Sequence, residues 1–262
     1  MPRFRIGLQL ANLGLPTKKA LQVASQLKVD GVELDARGEL RPSQMTQSGM
    51  RQLRKLLDDL NLRVCSVNFQ TRRGYDDTSD LEQRIEATRR AMTFAFELGA
   101  NVVTNQIGRI AENDDDPGMT TLRQALTDIG RHGQHCGTFL TATTGGEEPA
   151  LLRNLIDSLP DGSLFVDFDP GNLIVNGFSA TDALPVLGRD ILHVRARDGV
   201  RDLARGRGIN VALGQGTVDF PNVLAHLDQF RYQGYLTIDA RSANMQMGEL
   251  ADAVAFLREI QR

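Results

Sequence analysis

At 262 residues, 41% hydrophobic and 24% charged, the chain has an ordinary globular composition and the length of one large α/β domain or two small ones. A formal net charge of −3 offers no basic face to nucleic acid or an anionic membrane. The only cysteines, Cys65 and Cys136, stand far apart with no CxxC spacing, which excludes a disulfide scaffold and points to a reducing, cytoplasmic setting. The opening MPRFRIGLQLANLG lacks a signal peptide's apolar core, and no run of roughly 18 apolar residues is present to cross a membrane.

RIGLQL (Arg5 to Leu10) reads as a first strand, followed by a helix from Thr17, taken as its N-cap, to Lys28. GVELDA (Gly31 to Ala36) is a second strand, whose alternation puts Glu33, Asp35 and Arg37 on one side. Met50, Leu53, Leu57 and Leu60 mark a second helix, and LRVCSVN (Leu62 to Asn68) a third strand that enters the loop QTRRGYDD. The next helix carries Leu81, Ile85, Met92, Ala95 and Leu98 at helical spacing, with Thr88 the one polar break and Gly99 the stop. NVVTNQI (Asn101 to Ile107) is a fourth strand, then an acidic loop and a helix from Thr121 to Cys136.

The second half keeps this rhythm. FLTATT (Phe139 to Thr144) precedes a helix from Pro149 to Leu159, with Pro in its first turn. LFVDFDPGN (Leu164 to Asn172) is an apolar run ending in the carboxylate of Asp169 and a Pro-Gly break, with a helix near Thr181 to Leu187. ILHVRARD (Ile191 to Asp198) leads into a glycine-rich loop over 199–216, and a helix from Phe220 to Phe230 is capped by Asp219. YLTIDAR (Tyr235 to Arg241) is the eighth strand, and a last helix runs from Met247 to Ile260. Eight strand–helix units without a linker predict one (β/α)8 barrel over residues 1–262; a doubly wound sheet would place GxGxxG after an early strand, and none is there.

Such a barrel carries its chemistry at the carboxyl ends of the strands. The polar residues expected there are Gln9, Glu33, Asp35, Asn105, Gln106, Thr143, Asp169, Asn172, Arg195, Arg197, Asp198 and Asp239, joined by Arg72, Arg73 and Tyr75 from the third loop. Buried unpaired, they would be costly, so they either cancel as ion pairs or face a ligand; their gathering at one end points to a ligand. His132, His135 and His226 are expected at the surface. His193 points the same way as Arg195 one layer deeper, and reads as a hydrogen-bonded core residue ahead of a catalytic one. The loop with Arg201, Arg205 and Arg207 reads equally as a phosphate site or a lid.

GVELDARGEL, RRGY, TGGEEPALL, FDPGNLI, HVRARDG and GQGTVDFPNVL, in order along nearly the whole chain, resemble the xylose-isomerase-like TIM-barrel superfamily of sugar and sugar-phosphate isomerases and epimerases. The resemblance implies a (β/α)8 fold and a proton moved next to a sugar carbonyl. It also implies Mn2+, Mg2+, Co2+ or Zn2+ held by Glu, Asp, His and Glu at the ends of strands five to eight. Carried over by position, the aspartate is Asp169, the first glutamate falls on Thr143, the histidine on Arg195 and the last glutamate on Asp239; Asn172 stands where a substrate-facing histidine is frequent.

A guanidinium has donors only and is always protonated, so it cannot ligate a cation. The ligand set is therefore degenerate, no metal cofactor is expected, and Arg195 is expected to bridge Asp169 and Asp239 in the metal's place. The partner expected is a small sugar, sugar acid or sugar phosphate, with a homodimer as a possible assembly. Three functions follow: a metal-dependent isomerase, against which the lost ligands count; a metal-free enzyme with Glu33 or Asp239 as base and Arg195 as electrophile; or a non-catalytic sugar or anion binder. In an enzyme, Glu33, Asp169, Arg195 and Asp239 are the expected catalytic residues; in every reading Arg72, Arg73, Tyr75, Asn105, Thr143, Asn172, His193 and Arg197 are expected to contact the ligand.

Overall fold

The structure, a computed structural model, describes residues 4–113, 115–201, 208–239 and 247–262. Its strands are β1 (Arg5–Gln9), β2 (Gly31–Asp35), β3 (Arg63–Asn68), β4 (Val102–Asn105), β5 (Phe139–Thr143), β6 (Phe165–Phe168), β7 (Ile191–Ala196), β8 (Asp198–Val200), β9 (Ile209–Val211) and β10 (Tyr235–Ile238). The helices are α1 (Thr17–Gln26), α2 (Gln47–Asp59), α3 (Leu81–Glu97), α4 (Pro117–Cys136), α5 (Pro149–Asp157), α6 (Pro170–Val175), α7 (Ala180–Leu187), α8 (Phe220–Gln229) and α9 (Met247–Glu259). Eight strands pair in parallel and close in the order β1-β10-β7-β6-β5-β4-β3-β2. The predicted (β/α)8 barrel is the observed fold. No helix among the described residues is long and apolar enough to cross a membrane.

The short staves β4 and β10 are buried at every residue, against the lumen on one face and the helices on the other. Helices cover them with one stripe each: Met50, Leu53 and Leu57 on α2, Leu122, Leu126 and Ile129 on α4. Thr88, the polar break in the α3 stripe, is fully buried and stands 2.7 Å from the Tyr75 hydroxyl, so the break is a pairing.

Several boundaries move for local reasons. α1 begins at Thr17 itself, with Pro16 in the cap position, and Thr17 is held by the Glu39 carboxylate at 2.6 Å and 2.9 Å. α4 starts four residues before the expected Thr121, because Asp116 caps Gly118 N at 2.8 Å and Pro117 suits the first turn. The Pro-Gly break after β6 opens the short helix α6, with Asp169 as its cap. The loop expected over 199–216 contains an antiparallel ribbon, β8 on β9, pairing Asp198 with Val211 and Val200 with Ile209. Arg205, Arg207 and the Arg241 end of the eighth strand lie outside the described residues.

Candidate functional site

Odd-numbered residues of β6 and β7 face the lumen in layers: Asp167 below Asp169, and His193, Arg195 and Arg197 one above another. Asp167 lies beside His193 in the strand register, with their Oδ1 and Nδ1 atoms 2.7 Å apart. Each arginine leans back one layer. Arg195 Nε donates to Asp167 Oδ2 at 2.7 Å, and Arg197 Nη1 to Asp169 Oδ2 at 2.5 Å. Arg195 also reaches across the lumen, donating to Glu33 Oε1 at 3.1 Å, Glu33 Oε2 and Asp239 Oδ2 at 3.4 Å each, and Thr104 Oγ1 at 2.9 Å.

Its exposure is 1%, and Glu33 and Asp167 are at 0%. Glu33 further accepts from Gln9 Nε2 at 2.5 Å, Ser66 Oγ at 2.8 Å and Thr104 Oγ1 at 3.2 Å. Asn12 Nδ2 ties Asp239 Oδ1 at 2.5 Å. None of these side chains leaves a buried polar atom without a hydrogen bond.

The protonation states follow from this packing. Burial alone would raise the Asp167 carboxyl, but the Arg195 guanidinium and the His193 ring outweigh it and hold it well below the usual carboxylate range. Burial alone would depress His193; Asp167 reverses this and pushes the imidazole up to about 10. Asp167 therefore carries its charge between two cations. His193 Nε2 is left 2.8 Å from Thr237 Oγ1 and 3.2 Å from Ser66 Oγ. Asp169 is pushed up, by burial first and with Asp239 adding to it, against the pull of Arg197.

Several expectations change. Arg195 hydrogen-bonds Asp167 and Glu33, with Asp239 as a longer third contact, while Asp169 belongs to Arg197; a guanidinium is long enough to fold down one layer, which strand register alone does not reveal. Asp169 also caps α6 through Asn172 N at 2.8 Å, and Asn172 Nδ2 donates to Thr144 O at 2.7 Å, so both brace the α6 turn. Tyr75 and Asn105 are both fully buried; Asn105 Nδ2 donates to Phe69 O at 2.6 Å and Tyr75 Oη at 3.1 Å, which makes the pair a loop anchor beneath the mouth. Asp198 accepts from the amides of Gly199, Gly214, Gly216 and Val218 at 2.9–3.2 Å and so holds the return of the ribbon loop. The polar residues at the centre of the mouth thus largely cancel one another, contrary to the expectation that they face a ligand. Glu33 pairs with Arg195, while Arg5 lies on the Tyr235 ring and Arg37 donates to Gln70 O. Asp167, Ser66, Thr104 and Thr237 went unnoticed in the sequence, although stepping back two residues from Asp169 finds Asp167 on the same face.

Two cavities flank the plug. One of about 350 Å³ opens at the ends of β3, β4 and β5, with Thr143, Gln106, Arg72 and Arg73 in its lining. Thr143 Oγ1 donates to Asp167 Oδ2 at 2.7 Å, joining that cavity to the buried cluster. The other, about 260 Å³, lies beside β7 and β10 and is bordered by Arg197, Asn210, Asp239 and Glu249. Arg197 Nη2 donates to Asn210 Oδ1 at 2.6 Å, fastening β9 over this side.

The model of the xylose isomerase-like TIM barrel matches residues 21–260. The chain belongs to this family. Among solved structures, a xylose isomerase domain protein from Planctomyces limnophilus superposes with a TM-score of 0.86 at 24% identity, covering 99% of this chain and 97% of that one. A family protein from Mycobacterium smegmatis, in complex with magnesium, gives 0.79 at 15% identity over 98% and 96%. The 3-keto-D-glucoside 4-epimerase of E. coli gives 0.77 at 16% identity over 98% and 99%. At these identities the likeness establishes the fold. No curated protein sequence matches the chain.

The divalent cation that the family resemblance implies does not fit these side chains. Arg195 engages Glu33, Asp167 and Asp239 together. Among the described residues no group of three or more His, Cys, Asp or Glu side chains is arranged to hold a metal ion.

Proposed function

We propose that the protein binds a small sugar, sugar acid or sugar phosphate at the carboxyl end of its barrel without a divalent metal, and that it does so as a non-catalytic descendant of sugar isomerases and epimerases. One observation carries this reading: the Arg195 guanidinium, 1% exposed, sits between three carboxylates. A dication in the same place would meet a permanent positive charge at a cost of several kcal/mol even in a fairly polar interior. Catalysis meets a second obstacle in Glu33. Both its oxygens are taken up by Gln9, Ser66, Thr104 and Arg195, which leaves it poorly placed to accept a substrate proton. The ligand then has the flanking cavities, where Thr143, Gln106, Arg72 and Arg73 offer hydrogen bonds to hydroxyls and anionic groups.

A metal-free isomerase is the second reading, favoured by Asp239, which is 6% exposed and borders the smaller cavity beside Arg197. There Asp239 would take the proton next to the carbonyl and Arg197 would face the developing oxyanion.

A thermal-shift screen of sugars, sugar acids and sugar phosphates, each with Mn2+ and with EDTA, tests the proposal. Stabilisation by a ligand is expected to be the same in both, with no isomerised product. A Mn2+-dependent shift in the wild type would refute the metal-free reading, and turnover in EDTA would select the second. The double variant T143E/R195H, which restores two ligands, is expected to gain a Mn2+-dependent shift that the wild type lacks.

A further inference from the structure

The loops that follow β3 and β4 place Arg72, Arg73 and Arg109 around the single cavity of about 350 Å³ that has Thr143 in its wall. All three are exposed. Arg72 and Arg109 form no ion pair among the described residues, and Arg73 has only Asp77 at 3.7 Å, an exposed pair worth little. Arginines on loose loops are ordinarily just solvated. These loops, however, are locked together.

Gly74 and Gly108 pack backbone to backbone, so a Cβ on Gly74 would be driven into Gly108, and one on Gly108 would stand 2.8 Å from Gly74 Cα. Gly108 also has φ +118, a conformation that side chains other than hydrogen resist. Tyr75 N donates to Ile107 O at 2.7 Å, and the buried Tyr75 and Asn105 side chains pin the same loops from beneath. Arg73 and Arg109 each adjoin one of these two glycines, so their backbone positions are fixed relative to each other before anything binds. One carboxyl shares the lining, Glu147, which burial and the nearby Asp76 push toward its neutral form against a hydrogen bond from Ile110 N.

We propose that this cavity is an oxyanion subsite that takes the phosphate of a sugar phosphate on Arg72, Arg73 and Arg109, with the sugar toward Thr143. Three cations spread around one space suit a dianion with several acceptor oxygens better than a planar carboxylate, which a single guanidinium fork can satisfy. The inference names the ligand class within the sugar-binding reading and rests on that reading for the sugar half alone.

Calorimetric titration of the full chain with inorganic phosphate, a hexose 6-phosphate, the same neutral hexose and the corresponding hexonate tests it. The sugar phosphate is expected to bind at least about tenfold more tightly than the neutral hexose, with affinity falling as salt rises. The variant R109Q, which leaves Arg72 and Arg73 in place, is expected to lose part of that advantage while binding the neutral hexose as before. Equal affinity for hexose and hexose phosphate overturns the subsite and leaves sugar binding standing. Tighter binding of the hexonate overturns the choice of phosphate. Inorganic phosphate binding as well as the sugar phosphate upholds the subsite and overturns the sugar reading. Binding of none of the four overturns both.

Discussion

Arg195 cannot shed its charge inside the barrel, so its surroundings must carry the opposite one. Glu33, Asp167 and Asp239 do so, and the whole set is out of water. Buried ion pairs of this kind contribute little net stability when intact, yet removing one member leaves charges stranded. Arg195→Met is therefore expected to cost roughly 3–5 kcal/mol, read from urea unfolding, and R195M/D167N to recover part of it. If R195M unfolds like the wild type, the three carboxylates do not depend on the guanidinium as the distances indicate.

Among the elements, the β8–β9 ribbon is the piece with the least core of its own, and one side chain secures its return. Asp198 accepts four amide hydrogens spread from Gly199 to Val218, while Gly208 N donates to Val175 O at 2.8 Å and seats the ribbon on α6. Losing the carboxylate leaves one buried and three part-buried amides without their acceptor. Asp198→Ala is expected to destabilise by roughly 2–4 kcal/mol. Hydrogen exchange should show faster opening at Gly214, Gly216 and Val218 and little change in the amides of β3 and β4. Uniform acceleration over the barrel would mean that Asp198 is a general core residue with no special tie to the ribbon.

For the molecule as a whole, the charged column makes stability depend on pH. His193 has a folded pKa near 10 against 6.5 for a free imidazole, so the folded state holds the extra proton between those values. The contribution is complete below about 6.5 and is lost as pH rises toward about 10, at up to about 1.4 kcal/mol per pH unit. Asp167, held low, works at the other end: its contribution is present above the ordinary carboxylate range and fades as pH falls below it. Asp169, pushed up by burial, acts in that acid range in the opposite sense. His193→Asn is expected to flatten the alkaline limb, so that its stability deficit against the wild type shrinks steadily from pH 7 to about 10. A deficit independent of pH would show that the ring is neutral in the folded state.

The eight-unit rhythm was legible in the sequence because it is written locally, in the alternation of buried strands and the stripes of covering helices. The same alternation placed residue 195 at the mouth and His193 one layer below it. Tertiary structure alone decided which carboxylate each arginine took. That choice depends on how far a long side chain folds down the lumen and on Glu33, 162 residues distant from Arg195 along the chain. It also decided that Tyr75 and Asn105 anchor loops, since their partners Thr88 and Phe69 arrive from other segments. Pairing across a closed barrel is set by strand tilt and side-chain reach, and neither has a local sequence signal.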